Sequence, residues 1–256
     1  MRESAIPVIT KIKKFKGVRV LVRVDFNVPL DVRGNIAEKG EARLRGSLET
    51  IEFLRKKGAR VVLISHFGRP EGRQKKYSLV KVARRLARLI DGPVLFAPDP
   101  IDDDSRLERR LDRLRDGDVA LLENLRFYPG EEKNSGFFSR RLADLADIYV
   151  NDAFSVCHRS HASTVGVTRL LPSFAGLRLT KEIESLTRLM TKPKRPFVAL
   201  IGGAKISTKL PALIALLKSA EAVLVGGVMA NSFFAAKGYR VGRSAVSHGD
   251  VLLAKK

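Results

Sequence analysis

Polar and charged residues follow each of several short apolar segments in this sequence. The segments lie at residues 20–24, 60–65, 118–122 and 148–150, and each gives way to polar residues or to a turn. The residues that follow them are Asp25, Asn27, His66, Arg69, Arg126 and Arg159, with Arg43 ahead of a helix. Arginine never loses its charge, and its planar fork makes paired bonds to carboxylate and phosphate groups. The set therefore predicts a pocket for a small anion carrying both groups.

Each member of this set also has a purely structural interpretation. A single histidine is more often a hydrogen-bonded loop residue than a ligand-binding one. Asp25 and Asn27 are equally consistent with an Asx turn, in which the side chain accepts a hydrogen bond from its own loop. Their shared position at segment ends favours a site.

A second group of residues follows the apolar segment 197–201. Gly202 and Gly203 would let the backbone approach a phosphate, and the helix expected next would offer free N–H groups and a positive dipole end. Lys205 and Lys209, one helical turn apart, could then contact the same phosphate chain. The GxxxxGK[ST] order of a Walker A loop is absent. An ordinary strand-to-helix turn explains these residues equally well.

The elements that must position these residues alternate along the chain. The apolar segments lack the in/out alternation of half-exposed strands, so we predict strands covered on both faces, as in a parallel sheet. Amphipathic stretches between them predict helices at 47–57, 78–90, 105–115 and 137–145, the first capped by Ser47 and stopped at Gly58. Strand–helix–strand order predicts right-handed βαβ units. Ligands of such sheets bind at the carboxyl ends of the strands.

A change in composition after Leu171 predicts a domain boundary. We expect a first domain at 1–171, a linker helix at 172–195 and a second domain at 196–256. Only about two strand–helix units of a second sheet are present, too few to cover both of its faces. The predicted fold class is α/β, with two Rossmann-like three-layer αβα domains of mostly parallel sheets, the second truncated.

Composition narrows the function classes. The chain has 256 residues and a formal net charge of +21, which attracts nucleic acid or an anionic metabolite. It has no Trp and no spacing typical of a zinc finger or an RNP motif, which weakens the nucleic-acid hypothesis. Basic residues at 81–88 and 106–110 are expected on solvated helix faces. No apolar run is long enough to span a bilayer, so we expect a cytoplasmic protein.

Five motifs, in this order along the chain, resemble those of the phosphoglycerate kinase family. The resemblance covers the chain from about Val20 onward. The motifs are Val24-Asp-Phe-Asn-Val-Pro29, Ser65-His-Phe-Gly-Arg-Pro70, Leu121-Leu-Glu-Asn-Leu-Arg-Phe127, Asn151-Asp-Ala-Phe154 with His158-Arg-Ser-His161, and Gly202-Gly-Ala-Lys205. The resemblance implies a two-domain glycolytic kinase that moves a phosphoryl group between 1,3-bisphosphoglycerate and ADP, giving 3-phosphoglycerate and ATP.

The resemblance also implies roles for residues at matching positions. Arg43 would stabilise the phosphoryl group in flight and Lys205 would steady the transfer. The glycerate site would comprise Asp25, Asn27, Arg43, His66, Arg69, Arg126, His158 and Arg159. The nucleotide-phosphate site would comprise Gly203, Ala204, Lys205, Lys209, Gly226 and Gly227.

The sequence also departs from the family pattern. Three extra residues lie between Asp25 and Arg43, and the family's later glycine-rich loop, its magnesium-binding aspartate and its carboxyl-terminal segment are absent. We therefore expect that Mg²⁺ enters with ATP or ADP, that no residue of the chain binds the metal, and that the chain alone has negligible turnover. We also expect a monomer that binds neither nucleic acid nor a membrane. The alternatives are an inactive fragment that only binds 3-phosphoglycerate and, less favoured, a basic nucleic-acid-binding protein.

Overall fold

The computed structural model describes residues 6–32, 34–102 and 104–255. The chain divides into two compact units, Met1–Glu184 and Ser185–Lys256. This division falls within the linker helix expected from the sequence, while the two predicted domain boundaries themselves stay predictions.

The first unit is built on a six-stranded sheet in which every pairing is parallel. The strand order is β3-β4-β2-β1-β5-β6, so β1 lies at the centre between β2 and β5. The chain therefore first builds outward on one side of β1 and then switches to the other side at β5. The strands are β1 Arg19–Arg23, β2 Arg60–Ile64, β3 Val94–Ala97, β4 Val119–Leu122, β5 Ile148–Asn151 and β6 Ser173–Ala175.

Helices flank the sheet and connect its strands. Short 3₁₀ turns at Lys75–Tyr77, Leu125–Phe127 and Phe154–Val156, and a π-helical turn at Ala162–Gly166, form parts of the loops. The helices are α1 Glu38–Gly46, α2 Leu48–Lys56, α3 Val80–Leu89, α4 Asp104–Asp112, α5 Pro129–Glu132, α6 Gly136–Ala143 and α7 Leu177–Thr191.

The sequence predicts Arg43 ahead of a helix, but the structure places Arg43 inside α1. The segment Glu38–Gly46 contains two glycines and few apolar residues, so its sequence does not predict a helix. Tertiary packing supports it instead: Leu44 is fully buried, and a Cβ on Gly40 would lie 3.0 Å from the Val28 side chain. Ser47 occupies the predicted N-cap position of α2, but its backbone is helical and its hydroxyl makes no capping bond.

Both faces of the sheet are covered, as the sequence predicts. One side of β1 places Val20 and Val22 in a core shared with α1, α2 and α3. The other side places Leu21 in a second core shared with α4 and α6. All three side chains are fully buried, which explains why β1 reads as a continuous apolar run.

The second unit contains a parallel pair of strands, β7 Val198–Gly202 and β8 Ala222–Gly226. Its helices are α8 Leu210–Ser219, α9 Val228–Ala236 and α10 His248–Lys255. A small core forms around Ile206, Leu213 and Met229. On the strands, Leu200 and Leu224 are 77% and 55% exposed, so one face of this pair is uncovered in this structure.

No helix in the described ranges has both the length and the apolar character needed to cross a membrane.

Candidate functional site

The candidate site of the first unit lies at the carboxyl ends of the central strands. There β1, β2, β4 and β5 run side by side in the same direction, so their following loops meet at one sheet edge. The edge includes the place where the strand order switches from one side of β1 to the other. A crevice outside such a switch point is where open α/β sheets bind ligands. We refer to the polar residues gathered there as the strand-end cluster.

Arg23, the last residue of β1, forms the buried base of the strand-end cluster. Its side chain is 1% exposed, and all three nitrogens donate hydrogen bonds. Nε donates to Ser163 Oγ at 3.0 Å, Nη1 to the Val24 carbonyl at 2.6 Å, and Nη2 to His66 Nδ1 at 3.0 Å. A buried arginine satisfied in this way is held in one position, so it fixes the groups that it contacts.

The bond from Arg23 determines the state of His66. Because an arginine can only donate, Nδ1 of His66 must accept, and a neutral ring then carries its proton on Nε2. Burial lowers the pKa of His66 to about 2, with further lowering from the charges of Arg23, Arg126 and Arg159. The neutral ring therefore offers one N–H donor, on Nε2.

Glu131 compensates the charge of Arg23 from the other side. This carboxylate is fully buried on α5 and accepts from both groups of Ser163: Oε1 from the hydroxyl at 2.6 Å and Oε2 from the backbone N–H at 2.9 Å. His161 Nδ1 lies 3.7 Å from Oε1. Burial acts to raise the pKa of Glu131, but the nearby His161 ring, the charge of Arg23 and the bonds from Ser163 outweigh it and lower the pKa.

Asp25 holds a second arginine at the same edge. Its Oδ2 accepts from Arg43 Nη1 at 2.5 Å and from the Ser155 hydroxyl at 2.7 Å, while Oδ1 accepts from the Asn27 N–H at 3.2 Å. Asp25 is buried and the Arg43 side chain is 44% exposed. The two interpretations of Asp25 are thus both present: the carboxylate makes the Asx turn and also orients a cation towards solvent.

Arg126 and Arg159 add positive charge above His66. Arg126 has a 5% exposed side chain that pairs with Glu132 at 2.7 Å. Burial lowers the pKa of Arg126, Glu132 opposes this, and the charge of Arg159 lowers it further. Arg159 is half-buried, and in the described part of the chain its guanidinium makes no hydrogen bond or ion pair. The charge of Arg159 lowers the pKa values of both His66 and Arg126, which is consistent with these three side chains lying near one another.

Two asparagines join the loops that carry these residues. Asn27 Oδ1 accepts from the Gly68 N–H at 2.9 Å. Asn124 accepts from the N–H groups of Phe67 and Arg126, both at 3.0 Å, and donates to the carbonyls of Phe67 and Tyr77. Asn124 is completely buried, so the bonds hold the loops after β2 and β4 in a fixed relation.

The structure brings some predicted site residues together and leaves others apart. Two predicted members, Arg69 and His158, have exposed side chains that make no hydrogen bond or ion pair within the described ranges. They lie in the loops after β2 and β5 respectively. The residues joined by direct bonds or by charge effects on His66 are Asp25, Asn27, Arg43, His66, Arg126 and Arg159.

Sequence reasoning missed the residues that hold the cluster from below. Arg23 was visible as a lone charge inside the apolar run of β1. A charge at a fully buried strand position requires a partner, so that signal was available. Glu131, Ser155 and Ser163 had no such signal, because only the fold brings them next to Arg23 and Asp25.

The predicted phosphate loop of the second unit has a different local structure from the one expected. The helix begins at Leu210 rather than next to Lys205, because residues 206–209 form a turn in which the Lys209 N–H bonds the Ile206 carbonyl. Lys205 and Lys209 are therefore not one helical turn apart. Asp250 holds this loop, since its Oδ1 accepts from the N–H groups of Ile206 and Ser207 at 3.1 and 3.2 Å.

Glycines at the ends of β7 and β8 do approach closely. Gly202 pairs with Gly226, and a Cβ on Gly227 would lie 3.7 Å from the backbone of Gly203. The Lys209 side chain passes over Gly203, where an added Cβ would lie only 2.6 Å from its Cε. Ala204 and Lys205 are exposed on the same loop. Open backbone beside a lysine is a surface that a phosphate can approach.

Within the described residues, no group of three or more His, Cys, Asp or Glu side chains is placed to hold a metal ion. Asp250, the carboxylate that holds the loop after β7, uses both oxygens for the loop and for the Ser247 hydroxyl. These residues do not fit a protein-held Mg²⁺.

Comparisons with known proteins agree on one family. The sequence model of that family, phosphoglycerate kinase, matches residues 9–256. Phosphoglycerate kinase of Coprothermobacter proteolyticus is 47% identical over 242 residues, covering 94% of this chain and 61% of that protein. That of Desulforudis audaxviator is 51% identical over 231 residues, covering 90% and 58%. This chain thus spans about three fifths of the length of these relatives.

Solved structures give the same result. Phosphoglycerate kinase from Coxiella burnetii superposes with a TM-score of 0.82 at 35% identity, over 98% of this chain and 62% of that one. The structure from Pyrococcus horikoshii OT3 superposes with a TM-score of 0.85 at 34% identity, over 98% and 63%.

Proposed function

Since this chain belongs to the phosphoglycerate kinase family, we propose that it serves the transfer of a phosphoryl group between 1,3-bisphosphoglycerate and ADP, which yields 3-phosphoglycerate and ATP. The first unit binds the phosphoglycerate, and the glycine ends of β7 and β8 bind the nucleotide phosphates. The protein acts as a cytoplasmic monomer. Mg²⁺ accompanies the nucleotide and neutralises part of its charge.

The observation that carries this proposal is the charge arrangement of the strand-end cluster. Arg126 and Arg159 lie near a neutral His66 that donates from Nε2, and Asp25 holds a third cation, Arg43, at the same sheet edge. Phosphoglycerate carries a phosphate, a carboxylate and a hydroxyl. Guanidinium groups bind the two anionic ends, and the histidine N–H and the Asn27 amide suit the uncharged oxygens between them.

The proposed phosphoryl transfer needs no protein nucleophile. Phosphoryl transfer depends mainly on positioning the reactants in line and on neutralising the charge of the transferred group. Arg43 is the cation assigned to that charge, because Asp25 anchors one end of its guanidinium while 44% of the side chain stays exposed to a ligand. Lys205 and Lys209 serve the nucleotide phosphates. Arg69 and His158, exposed on the same loops as the cluster, complete the glycerate site once a ligand is bound.

A calorimetric titration tests the ligand chemistry. We expect 3-phosphoglycerate to bind this chain saturably and at least about tenfold more tightly than either glycerate or inorganic phosphate, since each of those carries only part of the recognised charge. Equal affinity for 3-phosphoglycerate and inorganic phosphate would mean that the cluster is a general anion site, contrary to the proposal. A coupled assay of ATP formation measures the transfer itself.

A further inference from the structure

A second concave, positively charged surface lies outside the strand-end cluster. It is a cavity of about 370 Å³ between α1, the turn before it and α3. We call it the α3 cavity. Its lining residues are Asn35, Ile36, Glu41, Lys81, Arg84, Arg85 and Arg88. None of them belongs to the strand-end cluster or to the glycine ends of the second unit.

The cations of the α3 cavity share one face of a single helix. Lys81, Arg84, Arg85 and Arg88 follow the i, i+3, i+4, i+7 spacing that places side chains along one stripe. The opposite face of α3 is fixed in the core, with Val82 and Leu86 buried. Residues 74–90 contain six Lys or Arg and no Asp or Glu. The stripe therefore carries no compensating charge from its own helix.

Neighbouring elements neutralise only part of this stripe. Glu41 of α1 accepts from Arg85 Nε at 2.8 Å and also pairs with Arg45 of α1. Lys81 donates to the Gly34 carbonyl, which fixes its amine at the edge of the cavity. Arg84 and Arg88 are exposed and make no hydrogen bond or ion pair in the described part of the chain. Four cations thus face one carboxylate, which a second arginine already shares.

The basic residues on α4 show what a solvated helix face looks like in this protein. Arg110 pairs with Asp99 at 2.5 Å, and Arg109 donates to the Ser105 hydroxyl of its own helix at 3.2 Å. We expect a solvated face for the basic residues of α3 from the sequence, and Arg84 and Arg88 are exposed. They also line a cavity, where their charges repel one another until an anion enters.

We propose that the α3 cavity binds a small anion bearing two or more phosphate groups. Lys81 and Arg88 are seven residues apart, about 10 Å along the helix axis, which is enough for two or three linked phosphates. Arg84 and Arg88 have free forks for paired bonds to separate phosphates. The cavity lining contains no aromatic ring on which a nucleic-acid base could stack, so a compact oligophosphate fits it better than a nucleic acid.

Calorimetric titration with inorganic tripolyphosphate tests the site, using two charge-matched pairs of substitutions. The test pair is Arg84→Gln with Arg88→Gln. The control pair is Arg106→Gln with Arg109→Gln, also exposed and one turn apart on α4. We expect the test pair to weaken one tripolyphosphate-binding event at least about tenfold. We expect the control pair to change it by less than about twofold, because distant exposed charges act weakly through water.

Two further titrations test where tripolyphosphate binds and whether the site prefers nucleic acid. Arg126→Gln, in the strand-end cluster, should leave this binding event unchanged. Its loss in Arg126→Gln, or equal weakening by both arginine pairs, would overturn the proposal. Tighter binding of a 20-nucleotide oligothymidylate than of tripolyphosphate, with the same dependence on Arg84 and Arg88, would also overturn it in favour of nucleic acid. Unchanged thermal unfolding of the variants shows that each is folded.

Discussion

At the residue scale, the site depends on which groups are charged and which are neutral. Arg23 is buried beneath the loops, and its bonds fix His66 in one tautomer while Glu131 balances its charge through Ser163. His66 can then donate from Nε2 without adding another positive charge to a group of arginines. An imidazolium at that position would meet Arg23, Arg126 and Arg159 without a carboxylate of its own.

We expect His66 to stay neutral across the physiological range. Its pKa of about 2 lies far below the ordinary value of 6.5, so no protonation should occur between about pH 5 and pH 8. Histidine-selective ¹⁵N NMR should show a proton on Nε2 and a pH-independent Nδ1 shift. His158, which is exposed, provides the comparison within the same spectrum. A midpoint for His66 near its ordinary value would contradict the assigned bond from Arg23.

The substitution Ser163→Ala should destabilise the first unit. The change leaves Arg23 Nε and Glu131 Oε1 without a buried partner, which costs about 1–3 kcal/mol of unfolding free energy. Chemical denaturation followed by circular dichroism measures the loss. The matched control is Ser105→Ala, because that hydroxyl is exposed and, among the described residues, bonds only the exposed Arg109. This change should alter stability by less than about 0.5 kcal/mol. Equal effects would show that the buried hydroxyl does not hold Arg23.

At the element scale, loops and helix starts decide where the site residues point. The sequence predicted β1, β2, β4, β5 and β7, because buried parallel strands are continuous apolar runs. It missed the three-residue edge strand β6, which falls inside the predicted linker helix 172–195. It missed α1, whose glycine at position 40 serves close packing rather than helix formation. It also placed Lys205 and Lys209 on one helical turn, although α8 begins only at Leu210, because no local signal shows that Asp250, from a later helix, holds residues 206 and 207 in a turn.

The loop after β2 requires glycine at position 68. Gly68 has φ +63°, and a Cβ there would lie 2.5 Å from the ring of Tyr77. Gly72 has φ +75° but open space around it, so Gly72→Ala measures the free-energy cost of the backbone conformation without a steric contact. We expect Gly68→Ala to lower the unfolding free energy by about 1–3 kcal/mol more than Gly72→Ala, and to weaken 3-phosphoglycerate binding. Equal stability losses would show that the Tyr77 contact is readily relieved.

One buried residue that holds the start of α7, Asp152, makes the stability of the first unit depend on pH. Asp152 is 1% exposed and accepts from the N–H groups of Arg178 and Leu179 at 3.0 and 3.3 Å. Burial raises its pKa from 3.8 to about 7, and the bonds it accepts oppose this only in part. A raised pKa means that the folded state holds a proton that the unfolded state has lost. The associated stability is complete below about pH 4 and disappears as the pH rises through 7.

We therefore expect Asp152→Asn to flatten this dependence. The amide keeps an oxygen for the two N–H groups but cannot ionise. The stability of Asp152→Asn relative to the unsubstituted chain should increase between about pH 4 and pH 8, by on the order of 2–4 kcal/mol. Chemical denaturation at several pH values measures the difference. A constant difference across this range would mean that Asp152 ionises in the folded state at its ordinary pKa.

At the scale of the whole molecule, the excess positive charge and the specific site must be distinguished. A net charge of +21 attracts any anion, and that attraction weakens with salt. The sequence predicted the fold class and the edge of the sheet where the cluster lies, because strand ends in an α/β fold meet there. It could not predict Glu131 and Ser163 as supports of Arg23, because their proximity exists only after folding.

The most direct test of the central claim is the affinity of 3-phosphoglycerate for Arg126→Gln and for the control Arg106→Gln, each compared with the unsubstituted chain at low and at physiological salt. Arg126 is in the cluster and nearly buried, whereas Arg106 is exposed on α4. We expect Arg126→Gln to weaken binding at least about tenfold at both salt concentrations, and Arg106→Gln to change it by less than about twofold. Equal weakening in both variants, or binding that vanishes with salt in the unsubstituted chain, would contradict a phosphoglycerate site at the strand ends.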